Sequence, residues 1–428
     1  MFLSKYAGFR EIGSRLILSF TFFLPVLVLA ASDTELSLNE AEQIALNLDP
    51  MTLAFENRAD AFSEQAVAEG QLPDPMFKVG TMSVPVDTFD LDQEPMTQFQ
   101  VGLQQMIPRG QTLKYRREYT EALSDVETAR RFERALHVLR EVRLRYLEVY
   151  FQIQADHILQ KNRLLFAELL DTTQRQYAAG RNNQHDVLRA QLELSLVDDR
   201  ILEVARAKEE AIGSLAKFLT IEQSGRPLPD NFPVLQPLPV VSQIKDQLYL
   251  HPVIKIEDAA VLASEKKVNE AEQLYKPGFN IDVTYGNRFG SDANGTDRPD
   301  MVSAMVMMDL PIFTSKRQDK RLSAAKKQNL AMQYTRTDRL YDLNSMLEKE
   351  LANWERLNDR LELYEQRAIS DARLNAQSTL NAYQNDIANF TTLMRAQLLE
   401  LNTQLDLLRV RVERAKVQAR LLYLNGEI

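Results

Sequence analysis

The chain says one thing twice. Residues 177–194 read YAAGRNNQHDVLRAQLEL, and residues 383–401 read YQNDIANFTTLMRAQLLEL. Tyr177 and Tyr383 stand 206 residues apart, and the same separation carries Arg189-Ala190-Gln191 onto Arg395-Ala396-Gln397. Three prolines hold nearly the same register: Pro50 with Pro252 and Pro75 with Pro277 at 202 residues, Pro108 with Pro311 at 203. Such regularity is the mark of an internal duplication. Whatever one half folds into, the other must match, and 428 residues are ample for two repeats of about 200.

Each duplicated stretch is a polar turn between two long helical patterns. No Pro or Gly interrupts residues 112–178, and on the first flank Leu139, Val142, Tyr146, Val149 and Ile153 recur at spacings of three and four. The last helix keeps the same alternation through Leu398, Leu401, Leu405, Leu408, Val412, Ala415, Ala419 and Leu422. That seam suits coiled-coil packing, and equally a long helical bundle. Shorter helices open each half: Ser37 with Glu40 forms a capping box, and Asp49-Pro50 ends the helix it starts. We expect a first repeat over 31–221 with its tip at about 177–190, and a second over 243–428 with its tip at about 383–396. A connector over 222–242 carries Pro227, Pro229, Pro233, Pro237 and Pro239, and such density favours an extended path.

Between the paired prolines lie the strand-like segments, over about 76–107 and 279–311. Phe99, Val101 and Leu103 alternate with Gln98, Gln100 and Gln104; Ile281, Val283 and Tyr285 alternate with Asn280, Asp282 and Thr284. A third run pairs Val302, Ala304 and Val306 with Ser303, Met305 and Met307, and Met76 to Val86 is a weaker fourth. Alternation over about ten residues fits a membrane barrel wall, lipid outside and water inside. It also fits a soluble sheet with one face on a core. Residues 87–95 and 290–300 are polar, acidic and turn-rich, as hairpin loops would be. Four strands cannot close a membrane barrel, which takes about eight or more, so a barrel built this way would need several identical chains.

Composition removes whole classes of function. A formal charge of −9 lacks the basic face that nucleic acid requires. There are no cysteines, hence no disulfides, no thiol nucleophile and no Cys-ligated metal. Lys5, Arg10 and Arg15 precede an apolar run from Leu16 to Leu29, with small residues at the end of the run. That is the layout of a secretory signal peptide over 1–30, too short and too Pro-broken for a typical ~20-residue span.

On these residues the chain resembles the TolC-like outer-membrane efflux family: the duplication, the hairpin ahead of each long helix, the Pro108 and Pro311 junctions, and the tip pattern Tyr177-x-x-Gly180…Asp186-Val-Leu-x-Ala190-Gln191. The run from Asp186 to Leu194 is similar to the branch that serves cation and heavy-metal pumps. The resemblance implies a mainly α fold with a β-barrel portion. Duplicated coiled-coil hairpins would form an α-barrel, and four strands per chain would contribute to a trimeric 12-stranded barrel in the outer membrane. It implies a homotrimer reaching into the periplasm, partnered by a periplasmic adaptor protein and an inner-membrane pump of the resistance-nodulation-division type. The cargo would be metal cations or small toxic compounds, conducted passively. It also implies a periplasmic gate at the second tip, here Asp386, Thr392 and Arg395, and adaptor contact at the first tip through Tyr177, Gly180, Asp186 and Arg189. The family's ring of gate carboxylates falls on Thr392 and Arg395, neither of them acidic, and Asp386 replaces the turn glycine.

Enzymatic chemistry finds little footing. His137, His157, His185 and His251 are scattered with no metal-ligand spacing, and no phosphate-cradling glycine loop exists. His185-Asp186 reads as a solvated tip more than as a catalytic pair, and Trp354 as helix packing. No cofactor is expected. Met301, Met305, Met307 and Met308 invite a soft-metal reading, but methionine is also common filler. A periplasmic adaptor or a structural coiled-coil tether would share the signal peptide and long helices, but would not need the alternating strands.

Overall fold

The computed structural model describes residues 35–426 apart from 182 and 386. The expected signal peptide over 1–30 lies outside the described residues. Two short helices come first, α1 (Leu38–Leu48) and α2 (Pro50–Glu69), followed by β1 (Met76–Met82) and β2 (Gln98–Ile107). Then comes α3 (Thr112–Ala178), a single helix of 67 residues, which at ~1.5 Å per residue is about 100 Å long. It turns back into α4 (Gln184–Ala216) and the one-turn α5 (Ile221–Ser224).

After the connector the order repeats: α6 (Val241–Gln247), a single 3-10 turn, α7 (Pro252–Gln273), β3 (Phe279–Arg288) and β4 (Met301–Met308). The second long helix differs from the first. It is broken into α8 (Gln318–Leu363) and α9 (Ile369–Gln384) by a π-helical turn at Tyr364–Ala368. The last helix is α10 (Phe390–Asn425). No Pro or Gly marks the break, and a π turn costs one extra residue and no special side chain.

The paired prolines explain the shared register. Pro50 and Pro252 each occupy the first turn of their helix, where a missing N–H is harmless. The residue before each caps it. Asp49 accepts from the Thr52 amide at 2.9 Å and pairs with Arg134 at 2.7 Å. Burial alone would raise its pKa, but the Arg134 and Thr52 hydrogen bonds outweigh burial and hold it below its usual value. His251 does the same job with different chemistry. Its Nδ1 accepts from the Val253 amide at 3.2 Å, while Nε2 lies 3.0 Å from the Tyr423 carbonyl. A carbonyl only accepts, so Nε2 carries the proton, and the buried ring is neutral.

Three apolar clusters run along the helices. Near the first repeat's short helices, Val142, Tyr146, Leu147 and Val149 of α3 pack on Leu36, Leu38 and Ala41 and on Val412 of α10. The second repeat mirrors this with Ile244, Ile254, Leu347, Leu421 and Leu424. A third cluster fills the hairpin tips. The connector is held rather than loose: the Leu36 amide donates to the Pro227 carbonyl at 2.8 Å, and Leu228 is buried. Tyr146 donates to the Leu36 carbonyl at 2.7 Å, tying the chain start to the long helix.

All four strands form one antiparallel sheet in the order β1-β2-β3-β4. Phe77, Leu103, Val283 and Ala304 fall in one register row, and Val79, Val101, Tyr285 and Val302 in the row two residues away. Among the described residues no helix packs on this apolar face. Val283 is 48% exposed, while its polar neighbour Asp282 is 8% exposed. Asp282 pairs with Lys78 across the opposite face. The sheet is inside-out for a soluble protein, which overturns the core-facing alternative. Gly286 leaves room for the Gln98 side chain, whose carboxamide oxygen would lie 1.9 Å from a Cβ there. Among the described residues no helix is long and apolar enough to cross a membrane.

One pH prediction follows from His251. Burial lowers its pKa from 6.5 to about 4. Between those values the unfolded chain binds a proton that the folded chain refuses, so stability falls as pH drops from about 6.5 to about 4, by on the order of 3 kcal/mol. His251→Asn, which keeps a capping side chain but does not titrate, is expected to flatten that slope in thermal unfolding measured across pH in detergent.

Candidate functional site: the paired hairpin tips

The sequence placed function at the two turns, and the structure sets them side by side. In the first, α3 closes at Ala179 and Gly180 takes φ +69°, the left-handed region that costs any L side chain. The Arg181 amide returns to the Gln176 carbonyl at 2.9 Å, completing the helix end. Asp186 lies in the first turn of α4, where a carboxylate complements the helix dipole.

The second turn is built differently. The Ile387 amide returns to the Ala382 carbonyl at 2.8 Å. Asn389 caps α10, accepting from the Thr392 amide and the Thr392 hydroxyl, each at 2.9 Å. Thr392 is thus anchored at its helix start with its surface open to solvent. Arg395 is exposed and forms no ion pair among the described residues. Asp386, the third expected gate residue, lies outside the described residues.

The duplicated tyrosines have parted ways. Tyr383 is 7% exposed, sits edge-on to Phe390 at 5.9 Å, and donates to Gln176 Oε1 at 2.6 Å. It packs in the tip cluster with Phe166, Leu169, Leu393 and Met394. Tyr177 is 47% exposed. One copy therefore holds the two hairpins together while the other presents its ring outward. Arg189 is a second tie: half-buried, its Nη1 donates to the Thr391 hydroxyl at 3.2 Å. Further up, Arg200 donates to Asn402 at 3.0 Å.

Of the expected first-tip residues, Tyr177, Gly180 and Asp186 lie on the turn and the start of α4, and Arg189 turns toward the second hairpin. Sequence reasoning missed Gln176, Thr391 and Asn389. Asn389 carried a usable signal, an Asn three residues before a helical Thr; the other two are partners that only tertiary packing reveals. It also passed over Leu188, Leu192 and Leu196, exposed at four-residue spacing along one face of α4, an apolar stripe that the protomer leaves uncovered. Among the described residues no cluster of His, Asp or Glu is arranged to hold a metal ion.

Comparisons with known proteins agree with this geometry. The family model described as outer membrane efflux protein matches the chain twice, over residues 43–220 and 244–427. No functionally curated protein matches the sequence. Among solved structures, the outer membrane protein VceC of Vibrio cholerae is similar with a TM-score of 0.76 at 16% identity, covering 91% of this chain and 96% of that one. The CmeC outer membrane channel of Campylobacter jejuni gives 0.76 at 11% identity, covering 91% and 85%. The open state of the MtrE outer membrane channel of Neisseria gonorrhoeae gives 0.70 at 16% identity, covering 91% and 88%.

The tip geometry yields a prediction. Tyr383→Phe removes one hydrogen bond between hairpins without emptying the pocket, a loss of about 0.5–1.5 kcal/mol. Amide hydrogen exchange over residues 383–397 should accelerate, whereas Tyr177→Phe should leave that region unchanged.

Proposed function

Because the chain belongs to the outer membrane efflux protein family, we propose that it is the outer-membrane duct of a three-part export machine. The sheet carries this reading. Its apolar face is bare and its two edge strands, β1 and β4, lack a partner on one side within the protomer. In lipid an unpaired edge is untenable, so the sheet closes by pairing β4 of one copy with β1 of the next. Three copies give twelve strands and a closed barrel. The two repeats, 31–221 and 243–428, supply one hairpin of strands and one long helical hairpin each, with 222–242 as the link.

Conduction is passive. The helices carry the lumen through the periplasm, and energy comes from an inner-membrane pump of the resistance-nodulation-division type delivered through a periplasmic adaptor. Tyr177, Gly180 and Asp186 present the first tip to that adaptor, supported by the outward ring of Tyr177. Arg189, through Thr391, passes the contact to the second tip. There Asp386, Thr392 and Arg395 close the duct. Without the family's carboxylates, Asp386 and Arg395 supply a different polar lock, and opening shifts the helix packing around Tyr383. The π turn at Tyr364–Ala368 lets α9 move without unwinding α8.

Planar-bilayer recording tests this. Wild-type protein is expected to insert as a trimer and to conduct in a mostly closed state, and Asp386→Ala with Arg395→Ala to raise open probability and drug leakage. An unchanged double variant would sink the lock. Protein that neither inserts nor conducts would sink the duct.

A further inference from the structure

The polar face of the sheet has an unusual composition. Its large apolar side chains are Met76, Met82, Met106, Met301, Met305 and Met307, and no Leu, Ile, Val or Phe joins them. The opposite, lipid-type face is mostly Phe, Val, Leu, Ile and Tyr, with Ala304, Thr81, Gln105 and Asn287 among them, and holds one methionine, Met308. Methionine used as filler would be shared between the faces and mixed with aliphatic residues. All six are exposed in the protomer. The Met82 thioether already serves as an acceptor, taking a hydrogen bond from Gln100 at 3.1 Å.

The register arranges them in four rows, two of which hold a pair. Met106 and Met307 flank Asn280 in one row at the helix end of the sheet. Adjacent strands lie about 4.8 Å apart, so two flexible three-bond side chains can meet over Asn280. Met76 and Met305 share the next row of methionines, two residues along β4. Met301 and then Met82 follow singly in two further rows toward the loop end. The first row faces a cavity of about 370 Å³ also lined by Arg109, Arg116 and Asp309, with Arg109 paired to Asp309 and Arg116 to Glu270. There the Asn280 Oδ1 is buried and, among the described residues, has no hydrogen-bond partner.

We infer that this inner wall is a thioether ladder for soft monovalent cations of the Cu(I) and Ag(I) class, with Met106, Asn280 and Met307 forming its entry site. Thioethers are soft, neutral ligands selective for such ions. In a chain without cysteine they are the soft donors available, and six weak contacts spread over four rows favour passage over trapping, as conduction through sequential sites requires. The inference rests on the duct reading and names a cargo class for it.

The test uses the trimer in detergent with ε-methyl carbon-13-labelled methionine, titrated with silver nitrate. Methyl signals of the six inner-wall methionines should shift, while Met308 on the lipid-type face and the isolated, exposed Met346 should not. Replacing all six by leucine, close in volume, should weaken silver binding by about tenfold or more and leave potassium conductance unchanged. Equal shifts at all methionines, or none, in protein that conducts potassium would overturn the ladder and spare the duct. Absence of potassium conductance in the wild type would overturn the duct reading itself, and the transit role with it. If the leucine variant fails to assemble, Met308 and Met346 in the wild type still decide the matter.

Discussion

The structure depends on backbone hydrogen bonding in a place without water. A four-stranded sheet with an apolar face bare on one side and two open edges is a poor object in the periplasm and an impossible one, alone, in lipid. Both liabilities vanish in one arrangement: the bare face meets lipid, the edges pair with further copies, and the polar face looks onto water. The long helices then have a fixed task. Anchored to a closed ring at the outer membrane, they extend its lumen toward the inner membrane over about 100 Å of helix.

The two repeats share a plan and differ where function would ask them to. Asp49 and His251 both cap a proline-started helix, one through a buried ion pair and one through a neutral ring held between an amide and a carbonyl. The first long helix is continuous, while the second is interrupted at Tyr364–Ala368. Tyr177 and Tyr383 descend from one position, yet one faces outward and the other locks the hairpins. One half thus carries an uninterrupted long helix and the other a π turn within its own.

Much of this was legible in the sequence because the signals are periodic. Prolines at a fixed separation, ten-residue alternation and a heptad seam each survive translation into strands, helices and caps. The face that meets lipid was not legible: alternation is symmetric, and only the absence of packing over Val283 against the near-burial of Asp282 breaks the tie. The π turn left no trace because it needs no special residue. The tip partners Gln176 and Thr391 are ordinary polar side chains, given meaning by which helix lies opposite. The methionines of the sheet were noticed on one strand only, since their shared face exists only once four strands are in register.

Which face of the sheet meets lipid is the claim on which the rest stands, and the absence of cysteine makes it cleanly testable. Spin labels at Val283→Cys and Thr284→Cys, in protein reconstituted into bilayers, report collisions with oxygen dissolved in lipid and with a water-soluble nickel chelate. The account predicts oxygen access at position 283 and chelate access at position 284. Equal chelate access at both would place the whole sheet in water and contradict it.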